Sequence, residues 1–359
     1  MFAGIDTHKD TLAVAVVDQV GLPIARAEEP NTRPGFVRIG ELLATHQVTR
    51  VGIEGSGSYG RCVAAYLVLD WDQSGVAVVE VPTVMTSRER GARPGQGKTD
   101  PVDAVAIARI TMRESDLPPV RLAVGDAADL RALLDYRGDL VSERSDLVNR
   151  VHADLAGLFP GYHHQIPNLI YKGHLDAAQQ LLAGDQRVRA ELARRRLARV
   201  LDIDRETAEL KHRIAGYVTA SGSSLTSIYG IGPIIAGRFL AEVVDINRYP
   251  NRNAFASVNG TAPLAASSGR TQRNRYNPGG NRRLNHCLYT IAITQARADT
   301  EGRAYYLRKR EAGKTSMEAL RCLKRRLSDI VYSAMRRDAD GVDAASATRA
   351  RPTAKRPAA

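Results

Sequence analysis

The chain begins with two short apolar runs, FAGIDTH and TLAVAVVD, separated by a tight polar turn. Such a pair predicts a β-hairpin. Helix-like and strand-like patterns then alternate: PGFVRIGELLATH (helix), VTRVGIEGSG (buried strand), GRCVAAYLVLDW (helix) and GVAVVEVP (strand). A hairpin followed by this alternation predicts an α/β domain over residues 1–120, in which a mixed sheet carries helices on its faces.

The pattern changes near Leu130, where apolar residues recur at alternating spacings of four and three. Arg137 and Arg144 interrupt this series, so we expect a long helix of coiled-coil character with a polar-broken seam. A second long helical pattern runs over about 176–217 and includes the basic run ELARRRLARV, for which a solvated helix face and a nucleic-acid contact are equally open interpretations. Two long antiparallel helices over 121–221 would form a spacer or a dimerisation arm.

The third region, over 222–337, is predicted to be mainly helical. It opens with Gly230 and Gly232 in a turn that is followed by Pro233 at the first position of a helix. This order indicates a helix–hairpin–helix, in which glycines let backbone N–H groups approach a DNA phosphate, although an ordinary helical turn explains it equally well. The Ala-, Arg- and Pro-rich residues 338–359 are predicted to be a disordered basic tail.

The net charge of the chain is +12, which indicates a polyanionic partner because Lys and Arg neutralise phosphates. Aromatic residues make up only 5%, so a stacking platform for single strands is not expected. No apolar run is long enough to span a bilayer, and acidic residues near the start argue against a signal peptide. The three cysteines lack CxxC spacing and indicate a reducing, cytosolic compartment.

Four carboxylates occur where strands end and a helix begins. Asp6 lies at the end of the first strand, Glu54 at the end of a later one, and Asp100 and Asp103 at the start of a helical pattern. Gathered on one rim of a sheet, they would repel one another unless cations neutralised them. Oxygen ligands suit Mg²⁺ or Mn²⁺, and such a site supports phosphoryl transfer.

Structural interpretations of the same carboxylates stay open at this point. Asp6 would cap the hairpin turn, and Asp100 would be a helix N-cap with Pro101 at the first helical position. Asp103 would interact favourably with the helix dipole. Lys98 belongs to the preceding stretch RPGQGK, which we interpret as a flexible basic approach for a phosphate backbone.

No acidic residue occurs between Asp245 and Asp299, while arginines are frequent there. Arginine favours bidentate contact with phosphate. Our candidates for nucleic-acid binding are Arg270, Arg273, Arg275, Arg282 and Arg283. Ser268 lies in the same Gly-, Asn- and Ser-rich loop, where its hydroxyl could meet a scissile phosphate or could simply be a solvated turn residue.

The motifs GIDTHKD, IEGSGSYG and GKTDPVDA, in that order, resemble the DEDD domain of the insertion sequence 110 family of transposases. YGIGPIIAGRFLAEV, followed by SSG and GGNRRL, resembles the C-terminal transposase domain of the same family. The resemblance implies an RNase H-like (RuvC-like) fold and a DNA recombinase of the bacterial cytoplasm, associated with the nucleoid. It further implies guidance by a structured bridge RNA and the joining of donor and target DNA.

By residue, the resemblance implies that Asp6, Glu54, Asp100 and Asp103 hold the divalent metal. It also implies that Ser268 is the nucleophile and forms a covalent phosphoserine with DNA, with Ser267 as its rival. The two domains would form a composite site across a homo-dimer or homo-tetramer. The alternatives are a junction-resolving nuclease in which water attacks and a non-catalytic RNA-binding scaffold.

Overall fold

The computed structural model of the chain describes residues 1–71, 75–91, 99–120, 122–265, 274–275 and 280–349. The chain divides into two compact units, Met1–Leu122 and Ala123–Ala359. Each unit contains its own hydrophobic core. No helix within the described ranges combines the length and the apolar character needed to cross a membrane.

The first unit is built on a five-stranded mixed sheet. Its elements are β1 (Phe2–Thr7), β2 (Thr11–Val17), β3 (Pro23–Pro30), α1 (Arg33–Thr45), β4 (Arg50–Ile53), α2 (Arg61–Ala65), β5 (Ala77–Glu80), α3 (Thr83–Gly91) and α4 (Asp100–Arg113). The strand order is β3-β2-β1-β4-β5, and β2 alone runs antiparallel to the other four. This is the sheet of the RNase H-like fold, so that prediction is confirmed.

Helix α4 lies against one face of the sheet at very short range. A Cβ atom at Gly4 of β1 would stand 2.2 Å from the backbone nitrogen of Ala108, and one at Gly52 of β4 would stand 1.8 Å from Thr111 Oγ1. The two glycines are paired in the sheet. Glycine is therefore required at both positions for α4 to pack this closely.

The opposite face of the sheet carries the larger apolar side chains. Ile5 and Ile53 are fully buried there, in one cluster with Phe36, Ile39 and Leu43 of α1. Because side chains alternate between the two faces of a strand, residues 4 and 6 of β1 face α4 while residues 3 and 5 face α1. The alternation thus assigns Asp6 to the α4 face.

The second unit is mainly helical. Its elements are α5 (Asp126–Leu158), α6 (Lys172–Leu182), α7 (Val188–Ala220), α8 (Pro233–Val243), α9 (Arg252–Val258), β6 (Leu264–Ala265), β7 (Asn274–Arg275), α10 (Arg282–Arg297), α11 (Glu301–Glu311) and α12 (Ser316–Arg349). Short 3₁₀ turns at Tyr162–His164, Ser224–Ser227 and Ile246–Arg248 connect them.

Helices α5 and α7 pack side by side and run antiparallel. Leu130 near the start of α5 shares a cluster with Ile214 near the end of α7, whereas Leu155 shares another with Ala193. The long helical pattern over 176–217 was predicted as one helix but forms two, α6 and α7. Gly184 lies between them with φ of +77°, a left-handed conformation that ends α6.

Helices α8 to α12 surround a core that contains Phe239, Phe255 and Leu288. The turn before α8 has Gly230 at φ +88° and Gly232 as N-cap, and the element preceding it is the single 3₁₀ turn Ser224–Ser227. Helix α12 continues to Arg349 and so includes residues 338–349, for which the sequence predicted a disordered tail. Alanine is frequent in that segment and favours helix.

Candidate metal centre

Asp6 and Glu54 lie side by side at the carboxyl ends of two neighbouring parallel strands. Ile5 is paired with Ile53, and Glu54 directly follows β4, where its N–H donates to the carbonyl of Ile5 at 3.1 Å. Gly55 adopts φ of +76° and turns the chain away at this edge. By strand alternation, Asp6 and Glu54 follow Gly4 and Gly52 on the face covered by α4.

Asp100 and Asp103 belong to the first turn of α4. The N-cap is Thr99 and not Asp100, so Asp100 is the first helical residue and the N-cap interpretation of it is wrong. The Asp103 N–H donates to the carbonyl of Thr99 at 3.1 Å. Asp103 is 5% exposed. The next residue, Ala104, packs against Gly4, since a Cβ atom on Gly4 would stand 2.4 Å from the Ala104 carbonyl oxygen. Close packing on Gly4 thus brings this carboxylate to the strand ends.

His8 stands between two of these carboxylates. Its Nε2 atom lies 3.3 Å from Asp6 Oδ2 and 3.1 Å from Asp100 Oδ1. One nitrogen or oxygen from each of Asp6, His8 and Asp100 falls within 4.8 Å of the others. The backbone of His8 is fixed, because its N–H donates to Thr11 and Asn31 Nδ2 donates to its carbonyl at 2.9 Å.

The electrostatics of Asp6 show that the carboxylates interact. Burial raises the pKa of Asp6 most; His8 opposes this, and the negative charges of Asp103 and Glu54 raise the pKa further. The Asp6 carboxylate is thus held in a costly environment, buried and beside two like charges. A divalent cation would relieve both effects.

The donor set therefore fits a divalent metal. Asp6, Glu54, Asp100 and Asp103 offer oxygen atoms, the ligands that Mg²⁺ and Mn²⁺ prefer. Two ligand atoms about 2.1 Å from one octahedral ion and 90° apart lie about 3 Å from each other. The separations of His8 Nε2 from Asp6 and Asp100, 3.3 and 3.1 Å, are of this size.

Glu80 is another carboxylate at the carboxyl ends of the strands, but its side chain lies on the face of the sheet opposite α4. Glu80 ends β5 and is paired with Ile53, so its side chain follows the α1 face of the sheet. Its carboxylate accepts a hydrogen bond from the hydroxyl of Ser56. Strand alternation therefore distinguishes Glu54 from Glu80, although both terminate neighbouring strands.

Sequence reasoning did not select His8 or Asn31. The signal for His8 was present, since Gly4, Asp6 and His8 are spaced by two and continue one face of β1. Asn31 gave no comparable signal: its amide reaches the carbonyls of both His8 and Tyr59, which are distant in sequence. It joins the hairpin turn to the glycine-rich turn after Glu54.

In the second unit, the predicted nucleophile Ser268 and its rival Ser267 lie outside the described residues, between β6 and β7. The chain on either side is described. The Asn281 N–H donates to the Val258 carbonyl at 2.6 Å, and a Cβ atom at Gly280 would stand 2.3 Å from the Gly260 nitrogen. Residues 260 and 280 are therefore in direct contact.

A buried polar network supports this contact. Asn285 Nδ2 donates to the Asn259 carbonyl at 2.9 Å, Asn259 Nδ2 donates to Ser328 Oγ at 2.8 Å, and Lys324 Nζ donates to Asn285 Oδ1 at 2.6 Å. Lys324 is 8% exposed, and burial, together with the positive charge of Arg321, lowers its pKa. Helices α9, α10 and α12 are thus joined next to residues 260 and 280.

The residues predicted to contact nucleic acid differ in where they lie and in what they contact. Lys98, Arg270 and Arg273 lie outside the described residues, and Arg275 is in β7. Arg282 is exposed in the first turn of α10. Arg283 instead forms ion pairs with Glu242 at 2.9 Å and Asp135 at 3.2 Å, which raise its pKa and compete with a phosphate contact.

An RNase H-like sheet with carboxylates at the ends of its first and fourth strands defines a class of enzymes. Members of this class use divalent cations to act on the phosphodiester bonds of nucleic acids. Comparisons with known proteins narrow the class. A DEDD transposase family profile for insertion sequence IS110 matches residues 3–160, and a second profile, Transposase IS116/IS110/IS902 family, matches residues 222–307.

Three insertion-element proteins are similar to this chain over most of its length. An insertion element IS116 protein of Streptomyces clavuligerus is 27% identical over 94% of each chain. An IS900 protein of Mycobacterium paratuberculosis is 28% identical over 76% of this chain and 80% of its own. A putative transposase for IS117 of Streptomyces coelicolor is 26% identical over 91% of each. The structure of Thermus thermophilus RuvC aligns with 33% of this chain and 98% of its own, at 17% identity and a TM-score of 0.26.

The chain therefore belongs to the IS110 family of transposases. It is an enzyme that acts on DNA as a transposase. The family assignment made from the motifs is confirmed.

Proposed function

We propose that this transposase cuts and rejoins donor and target DNA with a divalent metal, Mg²⁺ or Mn²⁺, held by Asp6, Glu54, Asp100 and Asp103. One observation carries the proposal. The buried carboxylate of Asp6 interacts with the charges of Glu54 and Asp103, and its oxygen lies within 4.8 Å of a ligand atom of Asp100. Such a group of like charges calls for a cation.

The bound metal would stabilise negative charge on the scissile phosphate and lower the pKa of the attacking hydroxyl. The protein residues have separate tasks. Asp6 and Glu54, at the carboxyl ends of adjacent strands, form the rigid side of the site, whereas Asp100 and Asp103 are positioned by α4 through its contact with Gly4. Burial of Asp6 and Asp103 keeps both carboxylates away from competing water.

We assign the nucleophile to Ser268, with Ser267 as its rival. The Ser268 hydroxyl would lose its proton and its oxygen would attack phosphorus, the bond from phosphorus to the deoxyribose oxygen would break, and that leaving oxygen would take up a proton to become a hydroxyl. A deprotonated hydroxyl of the other DNA would then attack the same phosphorus, the bond from phosphorus to the serine oxygen would break, and the serine would take up a proton. The direct contact between residues 260 and 280 and the network of Asn285 and Lys324 support this proposal, because they fix both ends of the segment that carries the serine.

We further propose that a structured guide RNA selects the DNA sites. Base pairing reads sequence without any code in the side chains, so the protein needs to recognise mainly phosphate. The net charge of +12 and the exposed Arg282 support such a role. Sequencing the RNA that co-purifies with the protein tests it. A discrete RNA encoded beside the gene is expected, and random cellular RNA would argue against guidance.

Trapping of a covalent adduct tests the nucleophile. End-labelled DNA carrying the element's junction is incubated with protein, metal and co-purified RNA, and adducts are separated on a denaturing gel. We expect an adduct with wild type and Ser267→Ala, none with Ser268→Ala, and neither adduct nor cleavage with Asp6→Asn. Cleavage without any adduct would instead support a junction-resolving nuclease that uses water.

A further inference from the structure

The position of His8 has a consequence for the choice of metal. We propose that His8 is a direct ligand of the catalytic metal through Nε2, which makes the site a mixed nitrogen and oxygen site that prefers Mn²⁺ to Mg²⁺. This inference rests on the proposed metal site and identifies one of its ligands. Carboxylates alone would suit Mg²⁺ and Mn²⁺ alike, whereas imidazole is a ligand of transition metals.

Geometry supports the assignment. His8 Nε2 lies close to both carboxylates, at 3.3 Å from Asp6 Oδ2 and 3.1 Å from Asp100 Oδ1. It thus lies between the strand and helix contributions to the site. Ligand atoms on adjacent corners of an octahedron around one ion are separated by about 3 Å, so the three atoms need little movement to share a cation.

Strand alternation and the hydrogen bonds of the hairpin turn also place His8 next to Asp6, independently of the measured distances. His8 follows Asp6 by two residues and lies just past the end of β1, where its N–H still bonds the Thr11 carbonyl of β2, so strand alternation assigns both side chains to the α4 face. The hydrogen bonds from His8 to Thr11 and from Asn31 to His8 hold the backbone of the turn. The imidazole is therefore presented to the carboxylates by a rigid turn, as expected of a ligand.

An ion pair is the competing explanation. A protonated His8 would lie equally close to Asp6 and Asp100 and would act as a substitute cation. The two explanations predict opposite effects of removing the imidazole. Loss of a ligand weakens metal binding, whereas loss of a competing positive charge leaves it unchanged or strengthens it.

The experiment measures binding of Mn²⁺ to the full-length protein without nucleic acid, by the electron paramagnetic resonance signal of free Mn²⁺, with Mg²⁺ as competitor. We expect His8→Ala to weaken Mn²⁺ binding on the order of 10- to 100-fold. Loss of a residue that only hydrogen-bonds a metal ligand already weakens metal affinity by this factor, and loss of a direct ligand should not weaken it less. Mg²⁺ binding should weaken less. His46→Ala, which removes a histidine at the end of α1, should leave both affinities unchanged.

Pulsed spectroscopy of bound Mn²⁺ gives a second readout. Modulation of the spin echo by a coordinated imidazole nitrogen should be present in wild type and His46→Ala. It should be absent from His8→Ala and from His8→Asp, a variant that keeps a ligand but removes the nitrogen. His8 is 43% exposed in its side chain, so these variants are expected to fold, and circular dichroism checks this.

The possible results separate the two proposals. Unchanged or tighter Mn²⁺ binding in His8→Ala, or no nitrogen modulation in wild type, would overturn the assignment of His8. If Asp6→Asn still abolished binding in that case, the carboxylate site would stand. Binding by Asp6→Asn equal to that of wild type would instead overturn the carboxylate site itself.

Discussion

Gly4 lies beneath Ala108 so closely that a Cβ atom at Gly4 would stand 2.2 Å from the Ala108 nitrogen. The Gly4 Cα atom and the Ala108 nitrogen are both backbone atoms that cannot rotate away, so this contact sets the separation of β1 and α4. Asp6 follows Gly4 on the same face of β1, and Asp103 precedes Ala104 on α4. The absence of a side chain at Gly4 therefore controls the distance between the carboxylates of Asp6 and Asp103.

Replacing Gly4 with alanine is expected to destabilise the first unit by about 3 kcal/mol or more, because α4 must move off the sheet. Trp71 is the only tryptophan of the chain and packs against the core of this unit, so its fluorescence during urea unfolding measures the effect. Gly57→Ala is the control, since a Cβ atom there has no neighbour within 4 Å. Equal stability of the two variants would contradict the packing argument.

Replacing Asp6 with asparagine is expected to have opposite effects with and without metal. Burial and the charges of Asp103 and Glu54 raise the pKa of Asp6, so its ionised form is unfavourable in the metal-free protein. Asp6→Asn should therefore raise the midpoint of thermal unfolding of the first unit by roughly 2–4 °C in the presence of a chelator. Because a metal that binds only the folded state stabilises it, millimolar Mn²⁺ should stabilise wild type but not the variant.

The control for this prediction is Asp10→Asn in the exposed part of the hairpin turn. It should change neither the midpoint of thermal unfolding in the presence of a chelator nor the rise of that midpoint on addition of Mn²⁺. A lower midpoint of metal-free Asp6→Asn would mean that the contact with His8 outweighs burial and the neighbouring carboxylates.

Much of the first unit could be predicted from sequence because its signals are local. The hairpin, the alternation of strands and helices, and the positions of Asp6, Glu54, Asp100 and Asp103 follow from short patterns. The ion pairs of Arg283 could not be predicted, since Asp135 is 148 residues away. The close packing of α4 could not be predicted either, because a glycine in a strand does not identify what approaches it.

Asn285 tests whether the network next to residues 260 and 280 stabilises the second unit. Alanine at this position would remove the acceptor of Lys324 Nζ and a donor to the Asn259 carbonyl. Since both groups are part-buried, we expect a loss of about 2–3 kcal/mol. Unfolding followed by circular dichroism measures it, with Thr294→Ala on the exposed side of α10 as the control. Equal midpoints for the two variants would show that water replaces the lost partners.

Arg282 and Arg283 are neighbours on α10 with different surroundings, and they form a matched pair of variants. Arg283 is held by Glu242, whose side chain is 5% exposed, and by Asp135. Arg283→Ala should therefore destabilise the second unit by about 1–2 kcal/mol. This is less than the loss expected on breaking a fully buried ion pair, because Arg283 itself is half exposed. Its effect on the salt dependence of DNA binding should be small.

Arg282→Ala should have the reverse profile, because Arg282 is exposed and makes no ion pair among the residues that the structure describes. Stability should be unchanged, while the slope of log K against log salt concentration should fall in magnitude by about 0.9, the value for one lost phosphate contact. Fluorescence anisotropy with labelled duplex DNA over a salt series measures the slope. If Arg283→Ala changed the slope and Arg282→Ala did not, the ion pairs of Arg283 would have to open on DNA, and Arg283 would be the phosphate ligand of the two.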